Sequence, residues 1–342
     1  MYIAPQLKLH PSITPRDVLK MCFQATFGAE HLITDVEKAQ GYFDAEYEAT
    51  PPTQEPLFEM IGGKVCRVNI GAWKRENLPR EWMFNLFIQG ASQPMGSDQI
   101  FFEKVQAWEN YARENALDFT PDALKVALGS YLATCEGKLQ AIHHSPEYKA
   151  AEKPAYRVVS GIYATLMPIF DRIKTPQGII AIEGMAAGGK STLAKAINAV
   201  TGASIIHMDD FFLPAHMRTP LRFTQAGGNI HHERFALDIL PHLHTGFEYK
   251  IFDCSKMDYH GTRKVPDSPW KIVEGTYSHH PNFEDYATIK VFVEISSELQ
   301  MSRIIKRNGE SMAKRFEEEW IPMEDKYFKQ CQIRQKADII IK

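Results

Sequence analysis

Eight consecutive residues, Gly184-Met185-Ala186-Ala187-Gly188-Gly189-Lys190-Ser191, have the types and spacing of a site for phosphate chemistry. Glycines let a backbone turn its N–H groups inward around an anion, and a helix starting at Gly189 or Lys190 adds its positive dipole end at the same point. Lys190 then reaches the β- and γ-phosphates of a nucleoside triphosphate as a point charge, and the Ser191 hydroxyl ligates the Mg²⁺ that bridges them. Thr192 completes this set. The apolar run at 179–182 before the loop and the run at 192–197 after it give the order strand, glycine loop, helix, which is the context this chemistry needs. A glycine-rich turn with an exposed lysine is the bland reading of the same residues.

Carboxylates follow at the places where such a loop would use them. Residues 203–208 read as a second buried strand that runs into Asp209-Asp210-Phe211-Phe212. In a doubly wound sheet, ligands gather at the carboxyl ends of the strands. Asp209 there can orient an acceptor hydroxyl, take its proton and help hold the metal's water shell, while Asp210 is a candidate substrate contact. A cap or turn role is the alternative for either acid. Trp270-Lys271-Ile272-Val273-Glu274-Gly275-Thr276-Tyr277 reads as a third short strand, with Glu274 placed to hold the metal or its water and Tyr277 to face substrate. A strand at 289–295 precedes a helix carrying Arg303, Lys306 and Arg307, with Arg315 beyond. Arg303 and Arg307 on a helical flap would neutralise charge on a transferring phosphoryl group, although an exposed basic helix face gives the same pattern. A final strand spans 337–341.

Between strands two and three, Gly227-Gly228 permits a close approach of backbone to ligand. Arg222, His231, Glu233 and Arg234 around it, with Asp253 as a further candidate, could read substrate hydroxyls. The histidine pairs 143/144, 231/232 and 279/280 are i, i+1 neighbours that point apart, which argues against zinc.

The elements before the loop form a mostly helical first half. Thr14-Pro15-Arg16-Asp17 is a helix start with a cap, a proline at the first helical position and a returning carboxylate, and Gly28 closes that helix. Further helices are expected from about 31 to the Pro51-Pro52 break, at 79–89, at 97–115 and at 120–135, with a strand at 65–70. Residues 156–173 read as one more helix, making 151–174 a linker between a helical domain at 1–150 and a second domain at 175–342. The fold class is therefore α/β: a P-loop NTPase sheet, doubly wound and mainly parallel, preceded by a mostly helical domain. Aromatics such as Trp73, Trp82, Phe84, Phe87, Phe101, Phe102 and Trp108 read as core.

At 342 residues, with 44% hydrophobic and 24% charged content, the chain has the composition of a soluble globular protein. A net charge of −3 with scattered basic residues gives no electrostatic case for nucleic acid or an anionic membrane. Five widely spaced cysteines without a C-x-x-C pair fit reduced thiols, and neither a leader pattern nor a spanning run is present, so a cytoplasmic location is expected.

Taken together, Glu183 through Thr192, His207-Met208-Asp209-Asp210-Phe211-Phe212, Gly227-Gly228-Asn229-Ile230, Ile272-Val273-Glu274-Gly275-Thr276-Tyr277 and Arg303 through Asn308 occur in an order that resembles the uridine kinase / phosphoribulokinase family of P-loop kinases. The resemblance covers about 175–342. It implies ATP and Mg²⁺ as cofactors, the catalytic base at Asp209 and lid arginines at Arg303 and Arg307. It also implies an acceptor with a primary hydroxyl, such as a nucleoside, a pantetheine precursor or a sugar phosphate. The first half resembles no family of known activity. The expected function is transfer of a γ-phosphoryl group to a nucleoside or sugar-like metabolite, with a nucleotide-gated binding module as the alternative; a homo-oligomer is compatible with either.

Overall fold

In the computed structural model the described residues are 2–29, 33, 35–62, 65–91, 96–173 and 175–342. They form two compact units, Met1–Met167 and Pro168–Lys342.

The first unit is mostly helical around a small antiparallel sheet. Strands β1 (Phe58–Gly62), β2 (Val65–Asn69) and β3 (Tyr156–Ser160) pair in the order β1-β2-β3, and every residue of the central strand is buried. The helix Pro15–Phe27 starts as the sequence requires: the Thr14 N–H and hydroxyl both donate to Asp17 Oδ2, at 3.3 and 2.5 Å, and Gly28 ends it at φ +60°. The helix Val36–Ala49 begins later than its periodicity suggests, because Asp35 caps it by accepting the Lys38 N–H at 3.1 Å; residues 30–32 and 34 lie outside the described set. Helices Arg80–Ala91, Asp98–Glu114 and Pro121–Ala133 stand where the patterning puts them. Trp73, Phe101 and Trp108 are fully buried and Trp82, Phe84 and Phe87 nearly so, whereas Phe102 is exposed.

The helix expected over 156–173 does not form. Val158 and Val159 are stiff at χ1 and favour the pleated backbone of β3, which pairs along its whole length with β2. After Gly161 only two single turns follow, Ile162–Thr165 and Met167–Phe170. The stretch from 151 is thus not a linker helix, since β3 belongs to the first unit and the division falls after Met167.

The second unit is a parallel α/β sheet. Its strands in chain order are β4 (Gly178–Gly184), β5 (Ser204–His207), the antiparallel hairpin β6 (Phe247–Asp253) and β7 (Asp258–Val265), then β8 (Trp270–Glu274), β9 (Ile289–Val293) and β10 (Ile339–Ile341). The five-stranded sheet has the order β10-β9-β4-β8-β5, parallel throughout. β4 and β8 are buried at every residue, as strands covered on both faces must be. From β4 the chain crosses by way of the helix Lys190–Thr201 to β5, leaving a place between them that β8 fills. The direction of winding reverses at β4, so the crevice at its carboxyl end is a ligand position by topology. Ile206, Phe211, Phe235, Val273, Phe283 and Phe292 pack one core against the sheet. Among the described residues no helix is long and apolar enough to cross a membrane.

Candidate functional site

The glycine loop has a backbone that only glycine tolerates at its turning points. Gly184 and Gly189 hold φ of +141° and +107°, and a Cβ on Gly184 would fall on the Val293 carbonyl oxygen of the neighbouring strand. On Gly188 a Cβ would meet the Met185 carbonyl oxygen at 2.8 Å, and that oxygen already accepts the Gly188 N–H at 3.0 Å. The helix Lys190–Thr201 follows directly with Gly189 as its N-cap residue. Its first N–H groups have no partner within the helix and face the loop's concavity, which is the requirement for an anion cradle. Lys190 Nζ lies across this loop, donating to the carbonyls of Gly184 at 2.7 Å and Met185 at 3.0 Å and to the Thr276 hydroxyl at 3.2 Å.

Three strand ends converge on it. Ser191, at the start of the helix, donates its hydroxyl to Glu274 Oε2 at 3.0 Å, and His207 Nδ1 contacts Glu274 Oε1 at 2.5 Å. Glu274 closes β8 and His207 closes β5, in register with each other. Asp209 follows in a short 3-10 turn, Met208–Phe211, with a solvent-exposed side chain. Although Asp209 reaches solvent, the protein packed around its carboxyl raises it above the ordinary range; Lys190 opposes this, and the charges of Glu274 and Asp210 add to it. The Ser191 hydroxyl, the Glu274 carboxylate and the Asp209 carboxylate, which has no side-chain partner among the described residues, make a hard oxygen donor set. That set fits Mg²⁺, which keeps several waters and takes one or two carboxylates with substrate phosphates. Arg303, from the helix Ser297–Asn308, reaches over the loop and donates through Nη1 to Ala187 O at 3.2 Å and Gly188 O at 3.1 Å.

Two buried acids complete the loop's support, and neither is marked by a pattern of its own. Glu183 is fully buried and accepts from the Gly184 N–H at 2.9 Å, the His279 N–H at 3.2 Å and the Tyr327 hydroxyl at 3.1 Å. Burial pushes its carboxyl up to about 7, against the pull of Lys190 and of these donors. Glu324, from the helix Ile321–Gln330, accepts the Ala186 N–H at 3.0 Å and the Thr276 hydroxyl at 3.2 Å. Only the contiguity of Glu183 with the glycine loop hints at its role; Glu324 carries no such hint.

Several expected substrate contacts have other occupations. Asp210 is buried, with Arg263 Nε at 2.7 Å and the Tyr249 hydroxyl at 2.8 Å on the same oxygen, so it clamps the β6–β7 hairpin to the end of β5 rather than facing a ligand. Arg234 is buried over the Phe211 ring at 4.1 Å and donates to the carbonyls of Asp210 and Lys250. Asp253 caps the hairpin turn, accepting the Ser255 N–H at 2.8 Å and hydroxyl at 2.6 Å. Arg222 and Glu233 form a two-pronged ion pair at 2.7 and 2.8 Å, and Arg222 also donates to the carbonyls of Gly228 and Ile230. They thereby set the Gly227–Ile230 loop, which is joined to the β5 turn where Ile230 bridges Phe212 and the His231 N–H donates to Phe211 O. His231 remains half-exposed, 3.5 Å from the Tyr259 hydroxyl of β7. Tyr277 is buried at φ +80° against Tyr327, with its hydroxyl bonded to Asn229. Arg307 turns away from the loop to Asn308 at 2.8 Å and the Phe316 ring.

No protein-family model matches this chain, and no curated protein matches it. Among solved structures, the chain is similar to a provisionally assigned uridine kinase from Bacillus stearothermophilus, at 18% identity and a TM-score of 0.40, over 53% of this chain and 96% of that one. It is also similar to a protein from Silicibacter sp. TM1040 provisionally assigned as a fructose transport system kinase, at 19% identity and a TM-score of 0.41, over 52% of this chain and 97% of that one.

Proposed function

We propose that the second unit is a phosphotransferase that moves the γ-phosphoryl group of ATP to a hydroxyl of a small polar metabolite, a nucleoside or a sugar-like compound. The observation that carries this reading is the convergence at three adjacent strand ends: Lys190 on the loop after β4, the Ser191–Glu274 pair at the end of β8, and Asp209 free after β5. A loop that only senses nucleotide has no use for an unpaired carboxylate there.

Each residue has a task that its surroundings support. The loop N–H groups and Lys190 bind and orient the phosphates, and Arg303 adds positive charge on the open side of the loop. Ser191 and Glu274 would hold Mg²⁺, which when bound supplies neutralisation of charge on the β- and γ-oxygens. Asp209 accepts the proton that the acceptor hydroxyl loses as its oxygen bonds to phosphorus, while the bond from phosphorus to the bridging oxygen breaks and ADP takes the electron pair. A carboxyl raised above its usual range is the better base near neutral pH. Catalysis is then positioning and charge neutralisation, with Asp209 managing the proton.

The reading is tested by incubating the full chain with γ-labelled ATP and Mg²⁺ against nucleosides, vitamins and sugars. Label appearing in one acceptor supports it. Tight ATP binding without label in any acceptor overturns it in favour of a nucleotide-gated module.

A further inference from the structure

The first unit holds a cavity of about 290 Å³ that the phosphate loop does not use. Its wall includes Lys20 and Gln24 from the helix Pro15–Phe27, Tyr42 from the helix Val36–Ala49, Phe87 from the helix Arg80–Ala91, and Tyr156 and Arg157 from β3. The volume is at the small end of ligand pockets and suits a molecule of one ring and a headgroup.

Behind this wall runs a directional chain of hydrogen bonds. Asp17 is ionised, held near 2: burial acts against this, and bonds from His144, Ser145 and Thr14 outweigh it. An ionised Asp17 can only accept, so His144 Nδ1 donates to it at 2.7 Å; His144 is neutral, burial holding it down to about 4. Its Nε2 therefore accepts the Tyr156 hydroxyl at 2.6 Å, and that hydroxyl accepts Gln24 Nε2 at 3.2 Å. Gln24 Oε1 in turn accepts Arg67 Nε and Nη2, at 3.2 and 2.9 Å, and the buried Arg67 guanidinium stacks on the Tyr156 ring at 4.4 Å. Every member is bonded in one sense, from a buried cation to a buried anion, which locks Gln24 and Tyr156 as a rigid, polarised cavity wall.

The cavity lining carries two cations, Lys20 and Arg157, and one carboxylate, Glu46. Lys20 gives one of its N–H groups to Ile142 O at 3.2 Å. The nearby Asp17 is already committed to His144 and Ser145. Burial first, and then the like charges of Arg67 and Lys149, hold the Lys20 ammonium down to about 8, with Asp17 opposing. Arg157 is balanced by Glu46 through one nitrogen, Nη1, at 2.6 Å. Tyr42 is exposed beside these cations, and Phe87 lines the cavity with the Arg157 guanidinium 5.4 Å from its ring centre.

We propose that this cavity binds a small organic anion, a carboxylate or phosphate monoester on a flat apolar body, with its charge on Lys20 and Arg157 and its body against Phe87 and Tyr42. The proposal stands independently of the kinase reading, because among the described residues its whole lining belongs to the first unit.

The test titrates the full chain carrying Lys190→Ala, which removes the phosphate loop's own lysine, with phenyl phosphate, benzoate and benzyl alcohol, followed by calorimetry and ligand-detected NMR. Saturable binding of one or both anions at sub-millimolar to low-millimolar concentration, without saturation by the alcohol, is expected. Phenyl phosphate alone or benzoate alone names the headgroup. Lys20→Gln should weaken that binding at least about tenfold, with Lys20→Arg retaining most of it, because the site reads charge. Arg157→Gln decides the matter if Lys20→Gln does not fold. No anion binding, equal binding of the alcohol, or affinity unchanged in the folded Lys20→Gln and Arg157→Gln variants overturns the proposal.

Discussion

Glu324 accepts the Ala186 N–H at 3.0 Å across 138 residues of sequence, so a carboxylate from the C-terminal helix holds the back of the phosphate loop. The same carboxyl bonds the Thr276 hydroxyl, which in turn bonds Lys190. The loop is therefore set by the closing helix as well as by its own glycines.

Replacing Glu324 with Ala leaves a buried N–H unpaired and should cost about 1–3 kcal/mol. Urea denaturation should show this as a lower midpoint, and hydrogen exchange should show faster exchange at the Ala186 amide. An unchanged midpoint with an unchanged amide rate would mean that the contact does not support the loop.

Gly184→Ala should be worse. Its φ of +141° is closed to alanine, and the added Cβ falls on a strand carbonyl rather than on a side chain that can move. A loss of more than about 2 kcal/mol is expected, since strain at such a position adds to the clash. Gly202→Ala has no atom within 4 Å of its Cβ and pays for φ +73° alone, so its loss should be smaller. Equal midpoints for the two variants would refute the clash.

Glu183 contributes a loss of stability as pH rises through the acidic range, opposite in sign to the buried histidines held near 4. Its folded value, about 7, lies above its unfolded value of 4.5. The contribution is fully present below the unfolded value and is lost as pH rises through the folded one. Between pH 4.5 and 7 the loss is on the order of 1–3 kcal/mol from this group. Glu183→Gln cannot ionise, so the denaturation midpoint of the wild type, taken relative to that of the variant, should fall across that window. Parallel pH profiles would show that Glu183 is ionised throughout.

The grouping of the loop and strand-end residues was legible in the sequence where residue type and position coincide. Glycine spacing, a buried strand before it and acids at the ends of two later strands are all local signals, and Lys190, Ser191, Asp209 and Glu274 meet as they imply. The substrate residues were less legible, because a charged side chain does not announce its partner. Asp210 and Arg263 are 53 residues apart, and Arg222 with Glu233 satisfy each other, so groups that look free in a list are taken in three dimensions. β3 was misread as helix because its strand character comes from pairing with β2, about 90 residues earlier, and not from its own short pattern. The β6–β7 hairpin was missed for a related reason: β7 is exposed on nearly every residue and has no apolar alternation to detect.

Arg303 and Arg307 looked equivalent in sequence, yet only Arg303 touches the loop. Arg303→Met should lower kcat by about 10²–10³-fold, the scale for losing one charge-stabilising group, and Arg307→Met by less than about tenfold. Arg303→Lys should recover only part of the loss, because a point charge does not replace a planar donor. Equal losses in the two methionine variants would place both arginines at the reacting group.

The most direct measurement is phosphoryl transfer by Asp209→Asn beside the wild type, with ATP affinity measured on the same preparations. Asn keeps the size of the side chain and cannot accept the hydroxyl proton, so kcat should fall by about 10²–10⁴-fold while the ATP Kd changes by less than about threefold. Transfer at the wild-type rate in Asp209→Asn would contradict Asp209 as the base.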